Sequence, residues 1–269
     1  NSAVSGVGYN IARALTTLGD EARLLSLIGR DSLAVLVQSA MERDHIYPNN
    51  GLANLEQTAQ SVILFDGEGR RQINVDLKEV QETPYPQARF PRAAIDCDLL
   101  VLCNINFSRP FLAGAKGAGI PIATDVHTIA SLEDDYNRDF MQAADILFMS
   151  DERLPVEPEA WARQVLARFP ARMVVIGLGS QGALLALREG MRFTRVPAVR
   201  TRPVVSTIGA GDALFSAFLH AYLLTADPFQ ALRKAMVYAS YKIGAASAAE
   251  GLLDAPALDA LCTSLYAAG

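Results

Sequence analysis

Cysteine is scarce in this chain, and its scarcity limits the chemistry. Cys97, Cys103 and Cys262 are the three present in 269 residues. An odd number without regular spacing excludes a disulfide framework and a cysteine-ligated zinc centre. Cys97 and Cys103 sit in the apolar run DCDLLVLCNI, where a free thiol packs as a small hydrophobe. A reducing, cytoplasmic compartment is the expectation. Positive charge is also short: 24 Lys and Arg against 29 Asp and Glu leave a net charge of −5. No broad basic field is available for nucleic acid. Long apolar runs are missing too. The longest, residues 213–226, contains His220 and is too short to span a bilayer, so no membrane partner is expected. The opening NSAVSGVGYN has neither the basic nor the apolar region of a secretory leader. It begins abruptly on what reads as a functional loop, which predicts that further residues precede Asn1. Internal repeats, heptad runs and low-complexity linkers are absent, and His45, His127 and His220 show no ligand spacing.

What is present is a globular composition, 51% apolar and 20% charged, with length enough for one large α/β domain or two small ones. Helical and strand patterns alternate. Residues 10–19 carry apolar positions at helical spacing and close on Gly19; 22–29 read as a buried strand; 31–44 read as a helix opening on Asp31. Residues 58–77 differ, with two strand-like runs flanking DGEG, a hairpin signal. Further apolar strands are expected in IDCDLLVLCNI, IPIATDV, ADILFMS, RMVVIGLG and GALLAL, and helices in RPFLAGAKGAG and in the last third. Such alternation implies a parallel sheet covered on both faces, with the 58–77 hairpin projecting from it. The proline-rich 78–94 stretch reads as the connector between them.

The chemistry concentrates in STIGAGDALFSAFLHAYLL, residues 206–224. Two glycines and an acid stand directly before a long helix. Free N–H groups and the positive end of the helix dipole make such a turn an anion site, and Gly209 and Gly211 let the backbone approach a ligand closely. Asp212 then has two readings. It caps the helix, or it accepts a proton from a hydroxyl that attacks phosphorus beside the turn. In the second reading the dipole is expected to keep Asp212 ionised and weakly basic, which suffices for a loose phosphoryl-transfer transition state.

VVSTIGAGDALFSAFLHAYL resembles the C-terminal signature of the PfkB, ribokinase-like carbohydrate and nucleoside kinases, written D-T-x-G-A-G-D. SGVGYNIARALTTLGDEARLLSLIGRD resembles their N-terminal signature, closest to the pseudouridine-kinase-like and nucleoside-kinase-like branches. VVIGLGSQGALL resembles their nucleotide-binding strand and turn. The resemblance spans nearly the whole chain. It implies a single three-layer α/β/α ribokinase-like domain over 1–269, with a central mostly parallel sheet and a small β lid at about 58–77. The family's first strand has no counterpart ahead of Asn1. The implied activity is transfer of the γ-phosphoryl group of ATP, with Mg²⁺, to a hydroxymethyl group of a sugar or nucleoside. By position, Asp212 becomes the catalytic base and Gly209, Ala210 and Gly211 the anion hole. Gly6, Gly8 and Asn10 lie against the sugar, Gly179 and Gly182 border the ATP site, and Asp125 and Glu152 are the metal candidates. A homodimer formed through the lid is also implied.

The sequence departs from the family in three places. Ser206 stands where the family has an Asp tied to a monovalent-cation site, so potassium activation does not carry over. Gly177 replaces a Thr beside the nucleotide. MSDER at 149–153 replaces the magnesium-linked N-x-x-E, with Ser150 and Arg153 in place of its Asn and Glu. Alternatives stay open from the residues alone. Asn10 reads equally as a helix cap, Gly179 and Gly182 as an ordinary turn, Asp125 as a turn residue, Glu152 as a surface acid. These departures also admit a non-catalytic sugar- or nucleoside-sensing protein on the same fold. GVGYNIA alone would admit a dinucleotide-dependent oxidoreductase, although the third glycine of that fingerprint is replaced by Ile11.

Overall fold

A computed structural model describes residues 2–46, 52–65 and 71–266. Glycine ends the first helix, α1 (Val7–Leu18): Gly19 takes φ 99° and its N–H donates to the Thr16 carbonyl at 3.1 Å. Strand β1 (Ser26–Gly29), helix α2 (Ser32–Arg43) and strand β2 (Leu52–Leu55) follow, with β1 and β2 pairing in parallel. Asp31 caps α2, accepting from Ala34 N–H at 3.2 Å, and also accepts from Thr58 N–H at 2.9 Å and Thr58 Oγ1 at 2.6 Å. Gly29 is required beside it, because a Cβ there would stand 2.3 Å from Thr58 N.

Strands β3 (Gln60–Phe65) and β4 (Arg71–Asp76) form the expected antiparallel pair, with Ile63 opposite Ile73. Its DGEG turn falls at 66–69, outside the described residues. The pair is bonded to no other described strand. Clean sidedness is absent: Val62 and Leu64 are exposed on one face, Ile73 and Val75 on the other. The 78–94 stretch links this pair to the main sheet, as expected, and is itself packed. Val80 and Tyr85 are buried, and Phe90, which opens the short helix α3 (Phe90–Ala93), stacks on Phe111 at 4.7 Å between ring centroids. Aromatic packing overrides the turn signals of its prolines.

The main sheet has six strands: β5 (Leu100–Val101), β6 (Ile122–Asp125), β7 (Ile146–Ser150), β8 (Met173–Gly177), β9 (Ala183–Leu187) and β10 (Arg192–Val196), in the order β10-β9-β8-β7-β6-β5. β5 to β8 are parallel, as expected; β9 and β10 are antiparallel. The short 178–182 turn between β8 and β9 dictates that reversal, since a parallel crossover needs a dozen residues or more. The sheet is thus mostly parallel with one mixed edge, as the resemblance implies, and β10 itself carries no strong apolar alternation in RFTRV.

Alternate side chains of the sheet enter different cores. Leu147, Met149, Val174, Ile176, Leu184 and Ala186 pack on the face that carries α4 (Phe111–Ala118), α5 (Arg138–Ala143) and α6 (Pro158–Arg168). Ile146, Phe148, Met173, Val175, Ala183 and Leu185 pack on the opposite face, against α1, α7 (Ala210–Thr225), α8 (Pro228–Lys242) and α9 (Ala255–Tyr266). Period-two alternation thus yields three layers, α/β/α. No helix among the described residues is long and apolar enough to cross a membrane.

Candidate active site

α7 is apolar almost all round and is buried from Ala213 to Ala221, as a helix enclosed by its neighbours must be. Its N-terminus opens where β6 ends. The turn before it is tied to the end of α8: Val205 and Ser206 N–H both donate to the Ile243 carbonyl, at 2.8 and 3.0 Å. Gly209 takes φ 77°, and a Cβ on it would stand 2.7 Å from the Ala248 carbonyl oxygen. Its glycine is therefore demanded by the fold. At Gly211 a Cβ would meet little, its nearest neighbour being Asp125 Oδ2 at 3.9 Å, so this glycine keeps space open in front of the turn. Ala210 N–H donates to the Thr207 carbonyl at 3.2 Å and is engaged within the turn. Of the three amides expected to form an anion hole, those of Gly209 and Gly211 lie in the turn and first helical residues, where N–H groups lack intrahelical acceptors.

Asp212 does not cap α7. Its Oδ2 accepts from Asn10 Nδ2 at 2.7 Å. Burial pushes its carboxyl above the usual aspartate range, and the nearby charge of Asp125 pushes the same way; the Asn10 hydrogen bond, His127 and Lys242 pull it down. The net direction is upward, opposite to the dipole expectation, because desolvation of the carboxylate outweighs the helix terminus. Asn10 is not a cap either. It lies inside α1, whose first residue is Val7, is buried, and its Oδ1 accepts from Ser5 Oγ at 3.2 Å.

Asp125 ends β6, on the rim where parallel α/β sheets bind ligands. Its Oδ1 accepts from His127 N–H at 2.8 Å, and His127 Nδ1 stands 3.7 Å from its Oδ2. Cys103 joins the same neighbourhood; burial, with the fields of Asp212 and Asp125, pushes its thiol up to about 12, which keeps it protonated and inert. Glu152 lies exposed in the turn after β7, with its amide donating to Ser150 Oγ at 3.3 Å. Among the described residues no three His, Cys, Asp or Glu side chains assemble into a metal cluster.

The remaining expected positions divide. Gly6, at φ 135°, faces open space, whereas Gly8 is held by packing: a Cβ would meet Leu24 Cδ1 at 3.3 Å. Gly179, at φ 55°, also faces open space. Gly182 is fixed by the chain itself, since a Cβ would fall 2.0 Å from the Val196 carbonyl oxygen. His220 is buried and bonds Asp20 Oδ2 through Nδ1 at 2.9 Å, a structural contact. The sequence reading missed Lys242. Its side chain is wholly buried and Nζ donates to the Ile208 carbonyl. The signal was available: Lys242 continues the i, i+3, i+4 series of buried positions Ala231, Ala235, Tyr238 and Ala239 on α8.

Residues 130–255 match the pfkB family carbohydrate kinase model. The chain is 27% identical over 253 residues to acarbose 7(IV)-phosphotransferase of Actinoplanes sp., covering 93% of this chain and 84% of the relative. It is 28% identical over 267 residues to the ATP-dependent ribose-1-phosphate kinase of Halopiger xanaduensis, covering 97% and 86%. Among solved structures, a microbiome-derived acarbose kinase, Mak1, superposes with a TM-score of 0.86 at 28% identity over 95% of this chain and 86% of the other. These likenesses, with the three-layer sheet, show a ribokinase-like α/β/α fold, and residues 130–255 are similar to the pfkB family carbohydrate kinases.

Proposed function

We propose that this protein transfers the γ-phosphoryl group of ATP to a hydroxymethyl group of a sugar or nucleoside, with Asp212 as the base. One observation carries the assignment: a desolvated carboxylate heads α7, is held by Asn10, and faces the open side of a glycine turn beside Asp125. Asn10 occupies Oδ2 and leaves Oδ1 for the acceptor hydroxyl. Raised basicity favours proton acceptance as the phosphorus–oxygen bond forms. The Gly209 and Gly211 amides and the α7 dipole oppose the negative charge on the phosphoryl oxygens. Gly6 and Gly179, both facing open space, border the acceptor and nucleotide sides. β3 and β4, with apolar side chains on both faces, suit a lid that covers the acceptor and excludes water, and a second copy could pair along its free edges.

Mg²⁺ fits the residues present. It needs one or two carboxylates and otherwise keeps waters and substrate phosphates. Asp125, a hard oxygen donor on the rim beside the turn, meets that need; Glu152 is the second candidate across the same rim. When bound, the ion would neutralise charge on the β- and γ-phosphates. Three free thiols suit a reducing, cytoplasmic setting.

The test is ADP release from Mg²⁺–ATP across a panel of sugars, oligosaccharides and nucleosides, with Asp212→Asn as control. Turnover on a panel member, lost in the variant, is the expected result. Full activity in Asp212→Asn would remove Asp212 as the base. Binding of sugars or nucleosides with no ADP released on any of them would favour a sensing protein instead.

A further inference from the structure

Lysine is almost never fully buried, because removing an ammonium from water costs several kcal/mol unless partners replace the water. Lys242 is wholly buried at the C-terminal end of α8. Its Nζ donates to the Ile208 carbonyl, directly before Gly209. The next residue, Ile243, accepts from both Val205 and Ser206 N–H. One helix end therefore grips the 205–209 turn twice, by a main-chain carbonyl and by a side-chain cation. A cation there is also favoured by the negative pole of α8. The residue that enters the turn, Ser206, is buried and neutral, with Oγ accepting from Ile208 N–H at 3.3 Å. Without a carboxylate at that position, a mobile metal cation would have to bind beside a fixed ammonium. Lys242 also acts on Asp212, lowering its affinity for a proton.

We propose that the Lys242 ammonium is the resident cation of the anion-binding turn: it holds the Ile208 carbonyl inward, which aims the Gly209 and Gly211 amides at the transferring phosphoryl group, and it makes the reaction independent of a bound monovalent cation. The proposal rests on the kinase reading above. Lys242 is a positioning residue, because it acts through the turn and touches neither substrate.

The experiment compares the full chain and its Lys242→Ala and Lys242→Met variants in potassium, ammonium, sodium and tetramethylammonium chloride at equal ionic strength, reading ADP release and thermal unfolding midpoints. Wild-type rates should agree within about twofold across the four salts. Lys242→Ala should lose kcat by ~10²-fold, as when one oxyanion donor is misaimed, with a smaller change in acceptor KM. Ammonium or potassium should restore part of that kcat and raise the midpoint of Lys242→Ala, while tetramethylammonium, too large for the vacated space, should do neither. Lys242→Met fills the space and should resist rescue. Potassium activation of the wild type by fivefold or more, or salt-independent full activity of Lys242→Ala, would overturn the proposal. If neither variant folds, the wild-type salt comparison decides. If the wild type turns over no acceptor, the kinase reading fails separately, and cation-specific stabilisation of Lys242→Ala but not of wild type still tests Lys242.

Discussion

Asn10 and Asp212 lie 202 positions apart in sequence, and Asn10 Nδ2 donates to Asp212 Oδ2 at 2.7 Å. The bond joins α1 to α7, two helices that pack on the same face of the sheet. Ser5 Oγ, donating to Asn10 Oδ1, turns the amide so that its NH₂ group faces the carboxylate. A half-buried acid with one oxygen so held presents the other in a single direction, which is what proton transfer to a fixed base requires.

Replacing Asn10 by Leu should therefore alter the base before it alters the fold. The hydrogen bond from Asn10 favours the ionised form of Asp212. Its loss should shift the acid limb of the kcat/KM profile to higher pH and reduce kcat roughly 10- to 100-fold at neutral pH. Asn10→Asp should move the limb further, since two neighbouring carboxylates resist joint ionisation. A pH–rate series on the three proteins provides the check; unchanged acid limbs would mean that Asn10 serves packing alone.

Asp212→Asn should show opposite effects on activity and stability. Loss of the base should lower kcat at least ~10²-fold. The folded-state pKa of Asp212 lies above its unfolded value of 3.8, so ionising this group disfavours folding. Its stabilising contribution is complete below 3.8 and is lost as pH rises through the folded pKa. At neutral pH the Asn variant should melt ~2–4 °C higher than the wild type, a gain on the order of 1 kcal/mol. That gain should shrink as pH falls through the folded pKa towards 3.8, where the wild-type carboxyl is itself neutral. Melting curves from pH 4 to 8 would reveal a gain of the wrong sign or one independent of pH.

The layered fold was legible because short, almost continuously apolar strands alternate with helical stretches, so both faces of the sheet must be covered. Leu147, Phe148 and Met149 point to alternate faces, and the GAGD turn announces its helix. The sheet edge was not legible, since Gly182 turns the chain back under a packing constraint from Val196 that lies 14 positions later. The 78–94 stretch was legible as the connector from β4 to β5, but its packing was not, because prolines are local signals whereas Tyr85 and Phe90 answer to distant aromatic partners. In the site, Asp212 and Asp125 could be placed from motif position. The direction of the Asp212 shift could not, because desolvation depends on every neighbour at once. Lys242 needed both its helical spacing and the fact that α8 meets the turn.

The glycines of the nucleotide strand should separate in the same way. Gly182→Ala places a methyl 2.0 Å from a carbonyl oxygen at φ 103°, and should cost at least ~2 kcal/mol of stability. Gly179→Ala meets no neighbour and bears only the left-handed penalty of ~1–2 kcal/mol, but its methyl projects into the open space assigned to the nucleotide. It should raise the KM for ATP with little change in that for the acceptor. Equal KM values for ATP in Gly179→Ala and wild type would remove Gly179 from the nucleotide side.

Gly209 and Gly211 give the sharpest separation of fold from chemistry. At Gly209 a methyl would meet the Ala248 carbonyl at 2.7 Å in a left-handed residue, so Gly209→Ala should lower the melting midpoint by several degrees, about 2 kcal/mol or more, and lose activity with it. At Gly211 the helical backbone accepts alanine readily, and the nearest atom is Asp125 Oδ2 at 3.9 Å. Gly211→Ala should therefore melt at or slightly above the wild-type temperature. Its methyl would nonetheless stand between the turn and Asp125, in the space proposed for the transferring phosphoryl group. kcat should fall by ~10²-fold or more in a protein of undiminished stability. Unfolding curves and ADP release on the same samples decide it, and an active, stable Gly211→Ala would move the phosphoryl site away from this turn.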